Sequence, residues 1–374
     1  MSEPAGIYVH LPYCASRCGY CSFVVTTDAS SRDAYFDALD REAGLLERET
    51  EGAAFDSIYL GGGTPSLAPP EAIARLLDTL GDRFGFLADV EVTIEANPED
   101  VTPAALAAWA AAGANRVSLG VQSLHDAELA AVGRRHDARR ARAALDDATA
   151  AGLSVSADLI LGLPEQTAES FAASAAAVAA SGAGHVSVYL LEVEKSPPME
   201  ADRARRPDRY LGDDAQADAW TALAEVLAGR GYEHYEISNW ARPGGRARHN
   251  VKYWTRTPTL GLGVAAHELW GERRRANVSR IEDYVARVGE GRRPLALDRP
   301  VGADEAARER VFLGLRLSDG IPAAWLEPFL AADARLREDF EAWRGEGVIA
   351  RCADRVRLTE RGFLVSNEVL SRFV

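Results

Sequence analysis

Short runs of β-branched and aromatic residues, each closed by glycine, proline or a polar turn, recur at 7–11, 57–60, 90–95, 116–122, 155–161 and 186–191. Such runs are the signature of strands. The segments 34–48, 70–84, 102–112, 138–151, 168–181 and 214–230 carry apolar residues at helical spacing instead. Strand and helix therefore alternate, which predicts an α/β fold with a parallel sheet, in the form of a partial (β/α)6 TIM-like barrel. The units share no sequence signature, so the alternation is topology and not an internal repeat.

Right-handed crossovers put the C-terminal ends of all six strands on one rim, where ligands of such folds collect. The chemically unusual residues fall there. Cys14 to Cys21 follow the first strand, Gly61 to Thr64 the second, and Glu95 to Pro98 the third; Gln122 ends the fourth and Asp158 lies on the fifth. The chain divides at the changes in pattern. Residues 1–235 form the barrel. Residues 236–300, with the aromatic, basic and glycine-rich stretch that includes HNVKYW and Gly261-Leu262-Gly263, form a connecting or lid segment. Residues 301–374 form a small, mostly helical, winged-helix-like domain.

The chain has 42 basic and 56 acidic residues, a formal net charge of -14. That charge argues against nucleic acid and anionic membrane surfaces as partners. No secretory leader pattern and no apolar run of membrane-spanning length occur, so a cytoplasmic protein without stable membrane insertion is expected. Of four cysteines, three lie within eight positions and Cys352 stands far away, expected as a small buried residue. This is not the distribution of a disulfide framework; clustered thiols in a reducing compartment point to metal.

The spacing C-x3-C-x2-C lets Cys14, Cys18 and Cys21 converge on one cubane and leaves a fourth iron without a protein ligand. Such an iron can be chelated by an outside amine and carboxylate. A zinc site that recruits His10 or a distal histidine is the alternative. Aromatic neighbours, with Tyr20 directly before Cys21, would shield a cluster from water.

The string IYVHLPYCASRCGYCSF, with YLGGGTPS, EANPED, RVSLGVQS, ADLILGLPEQT, YEISNWARPG and HNVKYW in order, resembles the radical S-adenosylmethionine superfamily. It is similar to the branch that contains oxygen-independent coproporphyrinogen III oxidase and the HemW-type haem chaperones. The resemblance covers nearly the whole chain. It implies a [4Fe–4S] cluster on Cys14, Cys18 and Cys21, and S-adenosylmethionine contacts from Tyr8, Gly62 and Glu95. Members that bind a second S-adenosylmethionine use positions matching Gly63, Thr64, Gln122, Arg134 and Asp158. From the residues alone, Arg134 in GRRHDARRAR reads equally as part of a solvated basic face.

Two features separate the branch members. The oxidases carry a further cysteine two positions beyond the third ligand, where this chain has Phe23, and a longer segment before the cluster motif. The HNVKYW segment resembles the HNxxYW motif of the chaperones; it makes His249 the candidate axial haem ligand, with Tyr253 and Trp254 as flat surface for the porphyrin. Haem, a haem-acceptor protein and a possible homodimer are the partners implied. Oxidative decarboxylation of coproporphyrinogen is the other activity the resemblance allows.

Overall fold

The computed structural model describes residues 3–374. Six parallel strands follow the predicted order: β1 (Ala5–Leu11), β2 (Phe55–Gly62), β3 (Phe86–Ala96), β4 (Arg116–Gln122), β5 (Ser154–Leu161) and β6 (His185–Leu190), each bonded to its sequence neighbour. Their connecting helices are Arg32–Leu46, Pro70–Phe84, Pro103–Ala111, Ala138–Ala150 and Ala168–Ala180, close to the predicted bounds. The helix Pro70–Phe84 buries Ile73, Leu76, Leu77, Leu80 and Phe84, a stripe at i, i+3, i+4, i+7 and i+11 that faces the sheet. Thr167 and Ser170 form a capping box at the start of Ala168–Ala180.

Alternation along the strands gives the barrel two unlike faces. Ile7, Val9 and Leu11, Ile58 and Leu60, Val117, Leu119 and Val121, and Val186 and Val188 are buried under the helices. The residues between them point inward and are mostly polar: Tyr8 and His10, Ser57 and Tyr59, Glu91, Thr93 and Glu95, Arg116 and Ser118, Ser156 and Asp158, His185 and Ser187. A TIM barrel fills this space with branched apolar side chains. Here the lumen is polar, and its side chains bond one another: Ser118 to Asp158, Ser156 to His185, Tyr59 to Glu95.

The segment read as a connection or lid contains strands. β7 (Glu233–Glu236) and β8 (Asn239–Ala241) form an antiparallel pair beyond β6, and β9 (Thr259–Leu262) lies parallel to β1. β10 (His267–Trp270), β11 (Arg273–Asn277) and β12 (Leu295–Pro300) continue from β9 to give twelve strands. Two physical causes hid them. Gly261 interrupts the apolar run, because a Cβ there would stand 2.4 Å from the His267 carbonyl oxygen. The run Arg273-Arg274-Arg275 is a poor strand by composition, yet each arginine is neutralised, Arg275 by Glu268 at 2.8 Å and Arg274 by Glu309 at 2.6 Å.

The C-terminal part builds its own core from Val311, Leu315, Leu326, Phe340, Val356 and Phe363. Helices Ala303–Gly314, Ala323–Ala332 and Ala334–Gly345 pack with β13 (Ile321–Pro322), β14 (Ile349–Cys352) and β15 (Arg355–Leu358), in the order β13-β15-β14. Cys352, expected to be buried, is exposed at the end of β14. Among the described residues no helix is long and apolar enough to cross a membrane.

The helix Arg248–Thr255 carries the HNVKYW segment against the barrel, and Glu91 fastens it. The Glu91 carboxylate accepts from the Arg248 and His249 amides at 3.2 and 3.1 Å, with the Arg116 guanidinium 3.9 Å away. Two orphan amides of the helix start are thus satisfied by a buried anion. Glu91→Ala leaves both amides and Arg116 without it, and is expected to cost about 3 kcal/mol, read as a lower urea midpoint than wild type.

Candidate functional site

The cysteine loop leaves β1 at Leu11 and settles on the glycine run that ends β2. Gly63 N–H donates to the Leu11 carbonyl at 2.8 Å and Thr64 N–H to that of Tyr13 at 2.9 Å. A Cβ on Gly63 would stand 2.7 to 2.8 Å from Leu11, Pro12 and Tyr13 backbone atoms, and one on Gly62, whose φ is 106°, would strike the His10 ring at 2.5 Å. The glycines therefore serve close contact with the protein's own backbone and with His10. That was not readable from a glycine-rich turn alone, which suggests contact with a ligand.

His10 ties the other end of the loop. Its Nε2 bonds the Val24 carbonyl at 2.9 Å and its Nδ1 pairs with the Tyr8 hydroxyl at 3.0 Å. With both nitrogens engaged, His10 is not available as a zinc ligand. Among the described residues no group of three or more histidine, cysteine or acidic side chains is arranged to hold a single metal ion.

Cys14, Cys18 and Cys21 all line one cleft of about 340 Å³ at the C-terminal rim, together with Tyr20, Gly62, Gly63, Thr64, Glu95, Gln122, Arg134 and Asp158. Eleven of the thirteen residues singled out from the sequence thus meet in one place, Cys14 to Asp158; Tyr8 and His249 do not line it. All three thiols are partly buried. The Thr64 hydroxyl points at the Cys14 sulfur at 3.4 Å, and an Arg134 Nη1 lies 3.5 Å from that of Cys18. Burial pushes the Cys14 and Cys21 thiols up, partly offset at Cys14 by the Thr64 bond. Donors aimed at sulfur suit thiolates that carry charge, the form in which sulfur binds iron.

Arg134 is no solvated surface residue. Its Nη2 donates to Asn97 Oδ1 at 2.6 Å and to the Gly120 carbonyl at 2.7 Å, while Nη1 reaches the cysteine loop at Cys18 and the Tyr20 hydroxyl at 3.4 Å. It joins the ends of β3 and β4 to the loop. Asn97, which also donates to Thr64 at 3.3 Å, falls in the rim run Glu95 to Pro98 but was given no role from the sequence. Gln122 sits in the left-handed region at φ 63°, and its Oε1 has no partner among the described residues. Arg134 Nε is also without one. Strained backbone and unpaired polar atoms at a strand end belong to ligand sites more than to packing.

Two carboxylates form the cleft's inner wall. Glu95 accepts from the Tyr59 hydroxyl at 2.8 Å and the Gly62 amide at 3.0 Å; burial, with Asp158 adding like charge, pushes its carboxyl up to about 7. Asp158 is raised by burial to about 6, against the pull of Ser187, Ser118 and Arg116. Such a pair favours a cationic ligand, whose charge would replace the missing counter-ion. Tyr59 and Ser118 complete this wall, with Ser187 behind Asp158, and were missed, although the inward alternation of β2, β4 and β6 carries them.

Tyr8 lies one layer deeper, engaged by His10. His249, the candidate axial haem ligand, does not line the cleft. It is fully buried, with Nδ1 at 3.1 Å from Ser57 Oγ and Nε2 at 3.0 Å from the Tyr253 hydroxyl. Burial lowers its pKa to about 3, so the ring is neutral, but neither nitrogen is free for iron in this arrangement.

The model of the radical SAM superfamily matches residues 8–178, and that of the HemN C-terminal domain matches residues 301–365. The chain is 38% identical to the heme chaperone HemW of Mycobacterium tuberculosis, covering 98% of this chain and 94% of that protein. It is 30% identical to the heme chaperone HemW of Escherichia coli, over 99% and 98%. It is 34% identical to the mouse mitochondrial radical S-adenosyl methionine domain-containing protein 1, over 86% and 75%. Among solved structures, coproporphyrinogen III oxidase (HemN) from Escherichia coli, a radical SAM enzyme, superposes with a TM-score of 0.86 at 26% identity, covering 100% of this chain and 90% of that one.

The raised carboxyl of Glu95 predicts a pH signature in the protein without added ligands. Its proton is held more tightly folded than unfolded, so its contribution to stability is full below about pH 4.5 and is lost as pH rises toward 7. Glu95→Gln should therefore gain on wild type by about 3–5 °C in Tm between pH 5 and pH 8. A gap that stays constant across that range, followed by thermal unfolding, would show that Glu95 carries no such strain.

Proposed function

Because the chain belongs to the HemW family of the radical SAM superfamily, we propose that it is a haem chaperone, which binds haem and passes it to an acceptor protein. The observation that carries this reading is similarity to HemW proteins over essentially the full length of both partners. Membership also brings a [4Fe–4S] cluster and S-adenosylmethionine.

The residues present fit that cofactor. Three thiols from one loop, two of them with donors directed at sulfur, supply the ligand set expected of an iron–sulfur cluster with one open iron. We assign Cys14, Cys18 and Cys21 as its ligands. When bound, such a cluster offers an iron that chelates the amino and carboxylate groups of S-adenosylmethionine and can supply an electron to it. The chain's own residues do the rest. Thr64 and Arg134 stabilise charged sulfur, and Tyr20 shields the loop from water. Glu95 and Asp158 present negative charge to the cationic cosubstrate. Gly62 contributes by holding Glu95, and Tyr8 by holding His10. Gly63 and Gln122 line the same wall and belong to any second S-adenosylmethionine, the reading under which Arg134 and Asp158 are shared between the two. A cytoplasmic setting suits an oxygen-sensitive cluster.

The second reading, oxygen-independent oxidation of coproporphyrinogen, is favoured by the full-length superposition on HemN. Ser22-Phe23 in place of a further cysteine speaks against it. Both readings are tested on one anaerobically reconstituted preparation. One haem per chain, with a displaced absorption band and no protoporphyrinogen formed from coproporphyrinogen, is expected; turnover without stoichiometric haem binding would replace the chaperone by the oxidase.

A further inference from the structure

Most exposed large apolar residues are scattered singly over a protein surface and call for no explanation. Three of those here are not scattered. Phe23 is 64% exposed, Tyr189 45% and Leu190 49%, and all three line the cleft that holds the cysteines. They come from two distant segments, the end of the cysteine loop and the last two residues of β6, where buried residues give way to exposed ones. Apolar side chains left in water by two segments at one opening form a surface for a flat apolar body.

The charges around this opening are arranged in two tiers. The inner wall is acidic, with Glu95 and Asp158. The outer rim carries three cations, Arg17, Arg135 and Lys195, with Glu192 beside the last. Arg135 is exposed and makes no ion pair or side-chain hydrogen bond among the described residues. Arg17 reaches only the Cys21 carbonyl at 3.2 Å, and the pairing of Lys195 with Glu192 is exposed and weakly held. An acidic floor receives a cationic sulfonium compound; a basic rim receives a dianion.

We propose that haem binds in the mouth of this same cleft, its ring against Phe23, Tyr189 and Leu190 and its two propionates toward Arg17, Arg135 and Lys195, outside the S-adenosylmethionine. The placement rests on the chaperone reading and deepens it. It accounts for the apolar wall left in water and for Arg17 and Arg135 at the rim, which no carboxylate pairs among the described residues. A ring held at an open mouth keeps one edge in solvent. Transfer to an acceptor then requires no opening of the barrel.

Haemin titration of the full-length, cluster-loaded protein tests this, with L190Q, F23S and R135E against W325S. Trp325, 45% exposed on the helix Ala323–Ala332 of the C-terminal domain, controls for haem adsorbed on any exposed apolar residue. L190Q and F23S are expected to weaken haemin binding about tenfold and R135E severalfold, while W325S leaves it unchanged. Iron and sulfide content, measured on each sample, shows whether the cluster survives; Leu190 stands on the wall away from the cysteines and provides the variant least able to disturb it. Wild-type binding that L190Q and F23S leave intact, or that W325S weakens equally, would overturn the placement alone. Failure of the wild-type protein to bind haemin stoichiometrically would overturn the chaperone reading and the placement together.

Discussion

The constraint on which this structure depends is the burial of polar side chains inside a sheet. A polar group withdrawn from water must find a partner or it costs more than an apolar one of its size. The inward residues of all six parallel strands are polar here, and most are matched: Ser118 with Asp158, Ser156 with His185 and through it Tyr235, Tyr59 with Glu95, Ser57 with His249. Toward the rim the matching runs out. Gln122 Oε1 and Arg134 Nε are unpaired among the described residues, and burial raises the Glu95 and Asp158 carboxyls, an effect that Tyr59 at Glu95 and Ser187, Ser118 and Arg116 at Asp158 offset only in part. Deeper in the lumen Thr93 Oγ1 and one Arg116 nitrogen are also without a partner among the described residues, but Gln122 and Arg134 are the unpaired groups that stand at the cleft itself.

The cysteine loop depends on the same scaffold. It has little regular structure of its own, and its position comes from the Gly63 and Thr64 amides, from the His10 link to Val24 and from Arg134. These arise from three places: the end of β2, β1 itself, and the turn before the helix Ala138–Ala150. A loop held from several sides brings three thiols to one cleft without a helix or strand to space them, and leaves its far end, Phe23, projecting into the opening.

The barrel was largely readable from the sequence because parallel strands buried under helices carry an uninterrupted local signal, such as Val155 to Leu161. The three cysteines and most of the cleft were readable because they fall at strand ends. What failed to show depended on contacts distant in the chain. β9 hides behind glycines required by a neighbour's carbonyl, and β11 behind arginines whose partners lie on adjoining strands and a helix. The contacts of Asn97, Tyr59 and His10 become visible only once the strands are laid side by side. The surroundings of His249 were hidden for the same reason: Ser57 and Glu91, far away in the chain, engage its ring and its amide.

The central claim is that Cys14, Cys18 and Cys21 hold a four-iron cluster whose remaining iron faces the carboxylate-lined cleft. Low-temperature electron paramagnetic resonance of the reduced, anaerobically reconstituted protein, with and without S-adenosylmethionine, tests it most directly. The account predicts a four-iron signal that changes shape when S-adenosylmethionine is added, is lost when any of the three cysteines becomes serine, and survives Cys352→Ser. A signal indifferent to S-adenosylmethionine, or a protein that retains zinc in place of iron and sulfide, would contradict it.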